Sequence, residues 1–389
     1  MANTAMCWGK NRVWFRSIRA HIRIHPYDGW GAEERVMYKV HLKMGAMCNL
    51  MCNSIETKYY KLALHAIDAG MIEEAAALLQ QGEVVAFPTE TVYGLGANAL
   101  DAAAVAKIFA AKGRPNDNPL IVHVHDQALA EQVARLNPLA LKLMQAFWPG
   151  PLTLVLPKRE VIPEAVTAGL PTVAIRMPDH PVALQLIAAS GLPIAAPSAN
   201  LSGKPSPTSG MHVYQDLKGK IAMVLDGGAA GVGLESTVLD LSADVPAILR
   251  PGAITAEDLT PYCAEISEPQ NLQDKSAPKA PGMKYKHYAP KGEVLLVEKE
   301  ALLGAYAEKA ALGGRVAVLA DNTIEGLHEL PFYYPLSEEG GLKQTAQRLF
   351  AALRWCDDID ADTILVQIFP KQGIGKAIMN RLEKAAAKK

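Results

Sequence analysis

The chain has 389 residues, with 39 Lys and Arg against 40 Asp and Glu, a net charge of −1 and 50% hydrophobic residues. That length exceeds one domain core and that composition is globular; the balanced charge excludes a whole-protein field for nucleic acid. No apolar run reaches the ~18 residues of a membrane span, and five unpatterned Cys exclude a disulfide framework and fit a reducing, cytoplasmic setting.

Residues 1–54 differ from the rest. Arg12, Arg16, Arg19 and Arg23 recur at helical spacing, as in a transit peptide, but Ser is sparse and no secretory apolar core is present. The segment reads as a non-native or disordered N-terminal extension, from a start assigned too far upstream. Cys48 and Cys52 form a CxxxC without a second ligand pair, so no zinc site is expected there.

From Asp68 the pattern becomes α/β. Ala75–Gln81 predicts a helix capped by Gly82. Strands are expected at 83–88, 120–124, 152–157, 172–176, 193–196, 224–227, 236–240 and 247–250, and helices at 102–111, 128–135, 139–147 and 181–190. Several strands follow one another directly, so the sheet is expected to be mixed. Periodicity fades over 257–291, where Pro, Lys and Ala mark a linker. Strands at 293–297, 315–320 and 363–368 then alternate with helices, the last two at 342–357 and 374–388, as in a small parallel Rossmann-like unit. The expected domains are 60–256, a linker or lid at 257–291, and 292–389.

Six motifs carry chemistry. Thr89, Glu90, Thr91, Tyr93, Gly94 and Gly96 crowd one turn, read as strand-to-helix, where glycines admit a ligand and hydroxyls orient it. Lys112 and Arg114 follow a helix, stiffened by Pro115 and Pro119, with Asn118 and His123 close by. They suit a polyanion, or simply cap the helix dipole. Thr172 and Arg176 share one strand face, and Arg176 needs an anion: a ligand carboxylate or an internal ion pair. Ser198 and Asn200 sit on a stiff turn after Ala196, suited to phosphate or ribose, or to an N-cap. The glycine-rich Asp226–Thr237 leads into a strand, which argues against a dinucleotide fingerprint. Lys284, Lys286, His287 and Tyr288 load the linker with cations and aromatics, as a lid over the first domain would.

The Lys112-x-Arg114 and Ser198-x-Asn200 pairs, with Pro88–Gly96, resemble the YrdC-like domain. With the linker and second unit, residues 60–389 resemble the two-domain threonylcarbamoyl-AMP synthases. The resemblance implies a YrdC-like twisted mixed sheet with flanking helices, followed by a small Rossmann-like parallel domain. It implies synthesis of threonylcarbamoyl-AMP and pyrophosphate from L-threonine, bicarbonate or carbon dioxide, and ATP. Separate transferase proteins then use the product to modify tRNA beside the anticodon. Magnesium is expected with the nucleotide, with no dedicated protein ligands visible.

By the same resemblance Thr91, His123, Arg176, Ala196 and Ser236 would hold threonine, with Arg176 on its carboxylate. Arg114, Asn118, Thr172, Ser198, Asn200, Ser206, Arg250 and Tyr288 would hold ATP. Lys112, with Arg114, would neutralise phosphate charge during catalysis. The runner-up is a non-catalytic double-stranded RNA-binding module, with salt-steep affinity and no use of ATP. A third reading is carbamoyl transfer in metal-cluster assembly, but no acylphosphatase-like or zinc-finger segment is visible.

Overall fold

Aspartate, asparagine and serine set most of the helix starts of the first domain. The structure, a computed structural model, describes residues 55–267 and 288–387. The extension 1–54, with Cys48 and Cys52, and Lys284, Lys286 and His287 of the expected lid lie outside the described residues. Helix α1 (Ala69–Gln80) begins six residues before its expected start, because the Asp68 carboxylate accepts from Met71 N and satisfies an orphan donor. Helix α2 (Ala102–Lys112) starts at Asp101 in the same way and ends on Gly113 in the left-handed region (φ 61°). Helices α3 (Gln127–Val133), α4 (Pro138–Phe147), α5 (Glu164–Thr167), α6 (Pro181–Ser190) and α7 (Gly210–Leu217) follow. A short α8 (Ala256–Leu259) closes the domain on a capping box from Thr255 and Asp258.

Ten strands form one mixed sheet in the order β1-β8-β2-β3-β7-β4-β6-β5-β9-β10. They are β1 (Lys58–Lys61), β2 (Val85–Phe87), β3 (Gly94–Asn98), β4 (Ile121–His123), β5 (Leu152–Pro157), β6 (Thr172–Arg176), β7 (Ile194–Ala195), β8 (Met223–Asp226), β9 (Thr237–Asp240) and β10 (Ala247–Arg250). The central strands are apolar on both faces, as expected where helices cover the sheet. β4 and β6 run parallel, pairing His123 with Arg176, while β5 runs antiparallel to β6 and parallel to β9. The ends of β4 and β6 therefore meet the starts of β5 and β9, and Arg250 ends β10 beside them. This row of strand ends places the site.

The second unit has four parallel strands in the order β11-β14-β12-β13: β11 (Glu293–Val297), β12 (Val316–Asp321), β13 (Tyr333–Ser337) and β14 (Thr363–Gln367). Helices α9 (Leu302–Ala311), α10 (Leu342–Asp358) and α11 (Ile374–Ala386) flank it. The two units share a core: Val92 and Leu234 of the first pack with Phe350, Leu353, Ile378 and Leu382 of the second. Gly233 permits this approach. A Cβ there would lie 2.4 Å from Gln347 Cα, and its φ is +80°. Among the described residues no helix is long and apolar enough to cross a membrane.

Candidate active site

The Thr89–Gly96 segment is not a strand-to-helix turn. It joins β2 to its antiparallel neighbour β3, with Phe87 opposite Gly94. Thr89 Oγ1 ties the turn, accepting from Thr91 N and Val92 N and donating to Val92 O at 2.6 Å. Gly94 lines the cavity, but Gly96 does not admit a ligand: a Cβ there would meet Ile194 at 2.7 Å and the Phe87 ring at 2.8 Å. Alternating polarity was absent because the first four residues of this strand are all buried.

Arg176 is buried, 3% exposed, at the end of β6. Its Nε donates to Gly150 O (3.1 Å) and its Nη1 to Thr91 Oγ1 (2.8 Å). Nη2 lies 2.5 Å from Glu90 Oε2 as an ion pair without hydrogen-bond geometry, and both Glu90 oxygens lack hydrogen-bond partners. The internal ion pair anticipated as one alternative therefore exists. It leaves donors on the five-donor fork for a further anion.

His123 lies beside it, buried, with Nδ1 unpartnered and the ring edge-on to Phe87 (6.0 Å, 87°). Burial, reinforced by the Arg176 charge, lowers its pKa to about 3, so it is a neutral imidazole at pH 7. It offers a neutral donor or acceptor rather than a cation.

Lys112 departs from its expected place at the phosphates. It is 3% exposed, and its Nζ donates to Ser198 O and to Asn200 O (2.6 Å). Ser202 N also donates to Lys112 O, at 3.0 Å. Burial, then the nearby Arg114, push the ammonium well below its ordinary pKa. Three donors on a compact head suit a turn of converging carbonyls. Lys112 thus staples the Ser198–Asn200 turn from beneath and does not line the cavity. On that turn Ser198 Oγ donates to Asn200 Oδ1 at 2.6 Å, while Asn200 Nδ2 donates to Leu201 O and Lys204 O.

Arg114 does line the cavity and donates to Asn118 O at 3.2 Å. Asn118 is fully buried with neither amide atom partnered, although it stands behind the lining. Thr172 occupies the far end of β6 from Arg176, paired with Pro157, and does not line the cavity.

Across the cavity, Ser236 Oγ bonds Thr153 Oγ1 (2.7 Å) and accepts from Arg250 Nη2 (3.1 Å), while Arg250 Nε donates to Ser236 O. Burial lowers the Arg250 pKa to about 10, opposed by Glu235, so it stays charged at pH 7. Ser206 Oγ donates to Glu235 Oε1 at 2.6 Å. Tyr288 stacks on Phe350 (5.1 Å between centroids), and Ala289 N donates to Gly203 O. Thr91, His123, Arg176, Ala196 and Ser236 thus share one cavity with Arg114, Ser198, Asn200, Ser206, Arg250 and Tyr288.

Sequence reasoning gave no role to Glu90, Glu235, Asp216, Arg354 or Arg381. One signal was available. Arg381 follows Ile374 and Ile378 along the apolar stripe of α11, and a cation there implies a buried partner.

With the geometry in hand, the family profile described as telomere recombination (Sua5, YciO and YrdC proteins) matches residues 77–252. The profile for the threonylcarbamoyl-AMP synthase C-terminal domain matches 254–387. Threonylcarbamoyl-AMP synthase of Bacillus subtilis is 51% identical over 320 residues, covering 81% of this chain and 92% of that protein. That of Pyrococcus abyssi is 47% identical, covering 82% and 95%. The crystal structure of P. abyssi Sua5 complexed with L-threonine superposes with a TM-score of 0.79 at 45% identity, covering 85% of this chain and 97% of the other. The chain therefore belongs to the threonylcarbamoyl-AMP synthase family, in its two-domain form, and is an enzyme that makes L-threonylcarbamoyladenylate.

Proposed function

We propose that the cavity divides into a threonine end around Arg176 and a nucleotide end around Arg114, Ser198 and Arg250. The carrying observation is that the residues of both ends line one continuous cavity, on whose wall a buried imidazole leaves its Nδ1 without a hydrogen-bond partner. At the threonine end, Arg176 takes the carboxylate with its remaining donors. Thr91, Ser236, His123 and the Ala196 backbone surround the rest of the amino acid. At the nucleotide end, Arg114 and Arg250 offer guanidinium forks to the phosphates, Ser198, Asn200 and Ser206 offer short polar groups, and Tyr288 borders the nucleotide. The unpartnered Asn118 amide and Thr172 would join only after local movement toward ATP.

The threonine nitrogen attacks carbon dioxide, derived from bicarbonate, and loses a proton to give the carbamate. A carbamate oxygen then attacks the α-phosphorus, and the bond to pyrophosphate breaks. No covalent step falls to the protein. Its work is positioning and charge neutralisation, which suits a site of Arg, Ser, Thr and Asn. Among the described residues no three His, Cys, Asp or Glu cluster as metal ligands. The one carboxylate on the cavity wall, Glu235, is engaged by Ser206 and Arg381. The described residues do not fit a dedicated magnesium site; the ion would arrive on the phosphates.

The product would pass, in the cytoplasm, to separate transferase proteins that modify tRNA beside the anticodon. The test is mass spectrometry of the full chain incubated with ATP, L-threonine and 13C-bicarbonate. A threonylcarbamoyladenylate one mass unit heavier supports the proposal; unlabelled product, or none, contradicts the bicarbonate step.

A further inference from the structure

The second unit sends two buried arginines onto segments of the first that carry cavity-lining residues. Arg354 of α10 donates from Nη2 to Pro205 O (2.6 Å) and to Asp216 Oδ2 (2.8 Å). Asp216 in turn accepts from Lys204 Nζ and from Leu201 N, and so anchors the loop carrying Asn200 and Ser206. Arg381 of α11 is fully buried. Its Nε donates to Glu235 Oε2 (3.0 Å), its Nη1 to Pro251 O (2.6 Å), and its guanidinium lies 6.0 Å from the Tyr288 ring centroid.

Glu235 precedes β9 and Pro251 follows β10, so one side chain clamps the two strand ends that carry Ser236 and Arg250. The carboxylate is the unusual member. It is 7% exposed, on a wall assigned to polyphosphate. Uncompensated, it would repel the nucleotide and draw on the charge of Arg250. Burial alone would raise its pKa, but the charges of Arg381 and then Arg250 hold it below the ordinary range, so it stays ionised.

We infer that Arg381 is a positioning residue for the nucleotide end: it pairs with the Glu235 carboxylate at 3.0 Å, and so limits that carboxylate's draw on the charge of Arg250. This rests on the nucleotide-end reading above. It gives the C-terminal unit a part in ATP use that operates through α11, separately from the linker.

The experiment is steady-state kinetics on the full chain for Arg381→Met, Glu235→Gln, the double variant and Arg250→Met, with KM for ATP and threonine measured separately. Arg381→Met is expected to raise KM for ATP about tenfold, a coupling of ~1.4 kcal/mol, with KM for threonine within about twofold. The double variant, with neither charge, is expected to recover KM for ATP to within about threefold of wild type. A purely mechanical clamp predicts a double variant no better than Arg381→Met, and that result overturns the inference. Arg381→Lys keeps the charge and is expected to fold with KM for ATP near wild type. A tenfold ATP defect in a folded Lys variant overturns it too, even if the Met variant does not fold. Failure of the underlying reading looks different: Arg250→Met would then raise KM for threonine and not for ATP.

Discussion

The two sheets treat the polar groups at their strand ends differently. In the C-terminal sheet, Asp321, Ser337 and Gln367 end β12, β13 and β14, the crevice where open parallel sheets commonly bind ligands. Asp321 and Gln367 satisfy each other there: Gln367 Nε2 donates to Asp321 Oδ2 (2.6 Å), Asp321 N to Gln367 Oε1 (2.8 Å), and Lys299 stands 3.5 Å from Asp321 Oδ1. In the first sheet His123 Nδ1 and the Asn118 amide are buried with no partner. Ser337 Oγ in the C-terminal crevice is buried without a partner as well, but it stands alone there, whereas unsatisfied atoms of His123 and Arg176 come together on one cavity wall; such a convergence marks where a ligand belongs. The C-terminal unit thus contributes to the site through the sides of its helices rather than through its own crevice.

The sharpest attack on that contrast is Arg176→Ala. It strips the cation from a buried Glu90 and from the proposed carboxylate site. A loss of about 3 kcal/mol, ~150-fold in threonine use, is expected, with KM for ATP much less affected. Equal losses for both substrates would break the assignment of the two ends. Next is Lys112→Met, which keeps the length but leaves the carbonyls of Ser198 and Asn200 without their donor. Stability is expected to fall by about 2 to 3 kcal/mol in urea unfolding. Unchanged stability with lost ATP binding would return Lys112 to the phosphates.

A pH series comes third. Burial depresses the pKa of His123 to about 3 and of His212 to about 4, below the ordinary 6.5. The unfolded chain then binds more protons, so stability is complete above pH 6.5 and falls as pH drops toward these values. Each such histidine contributes about 2 kcal/mol of that loss by pH 5. His123→Gln is expected to flatten the slope between pH 7 and 5; an unchanged slope would show that the ring is not held neutral. The mildest test is Asp321→Asn, expected to lower stability by about 1 kcal/mol and to leave kcat/KM unchanged for both substrates. A kinetic defect there would erase the distinction between the two crevices.

Much of this was legible in the sequence. Strands 152–157, 172–176, 247–250 and 293–297 and helix 181–190 fall where periodicity put them, because each is apolar and bounded by Pro, Gly or a polar cap. β3 was missed since two of its five residues are glycines that pack beneath Phe87, which removes any alternation. β1, Lys58-Tyr-Tyr-Lys61, is a short edge strand whose parallel partner β8 lies some 165 residues away in the chain. Site residues clustered in motifs because local turns place Thr91, Arg114 and Ser198. For Lys112 the charge suggests phosphate, whereas the partners it has in the fold are carbonyls 86 and 88 residues distant, which no local motif announces. Arg381 was missed for the same reason, its carboxylate lying 146 residues away. The apolar stripe of α11 can flag Arg381 as buried, but it does not name a partner that only the tertiary fold supplies.

The most direct measurement is pyrophosphate release from ATP by the full chain, with threonine and bicarbonate each omitted in turn. Release that requires both is the expected result. Release with ATP alone, or with either co-substrate missing, would contradict a cavity that joins threonine to the nucleotide through a carbamate.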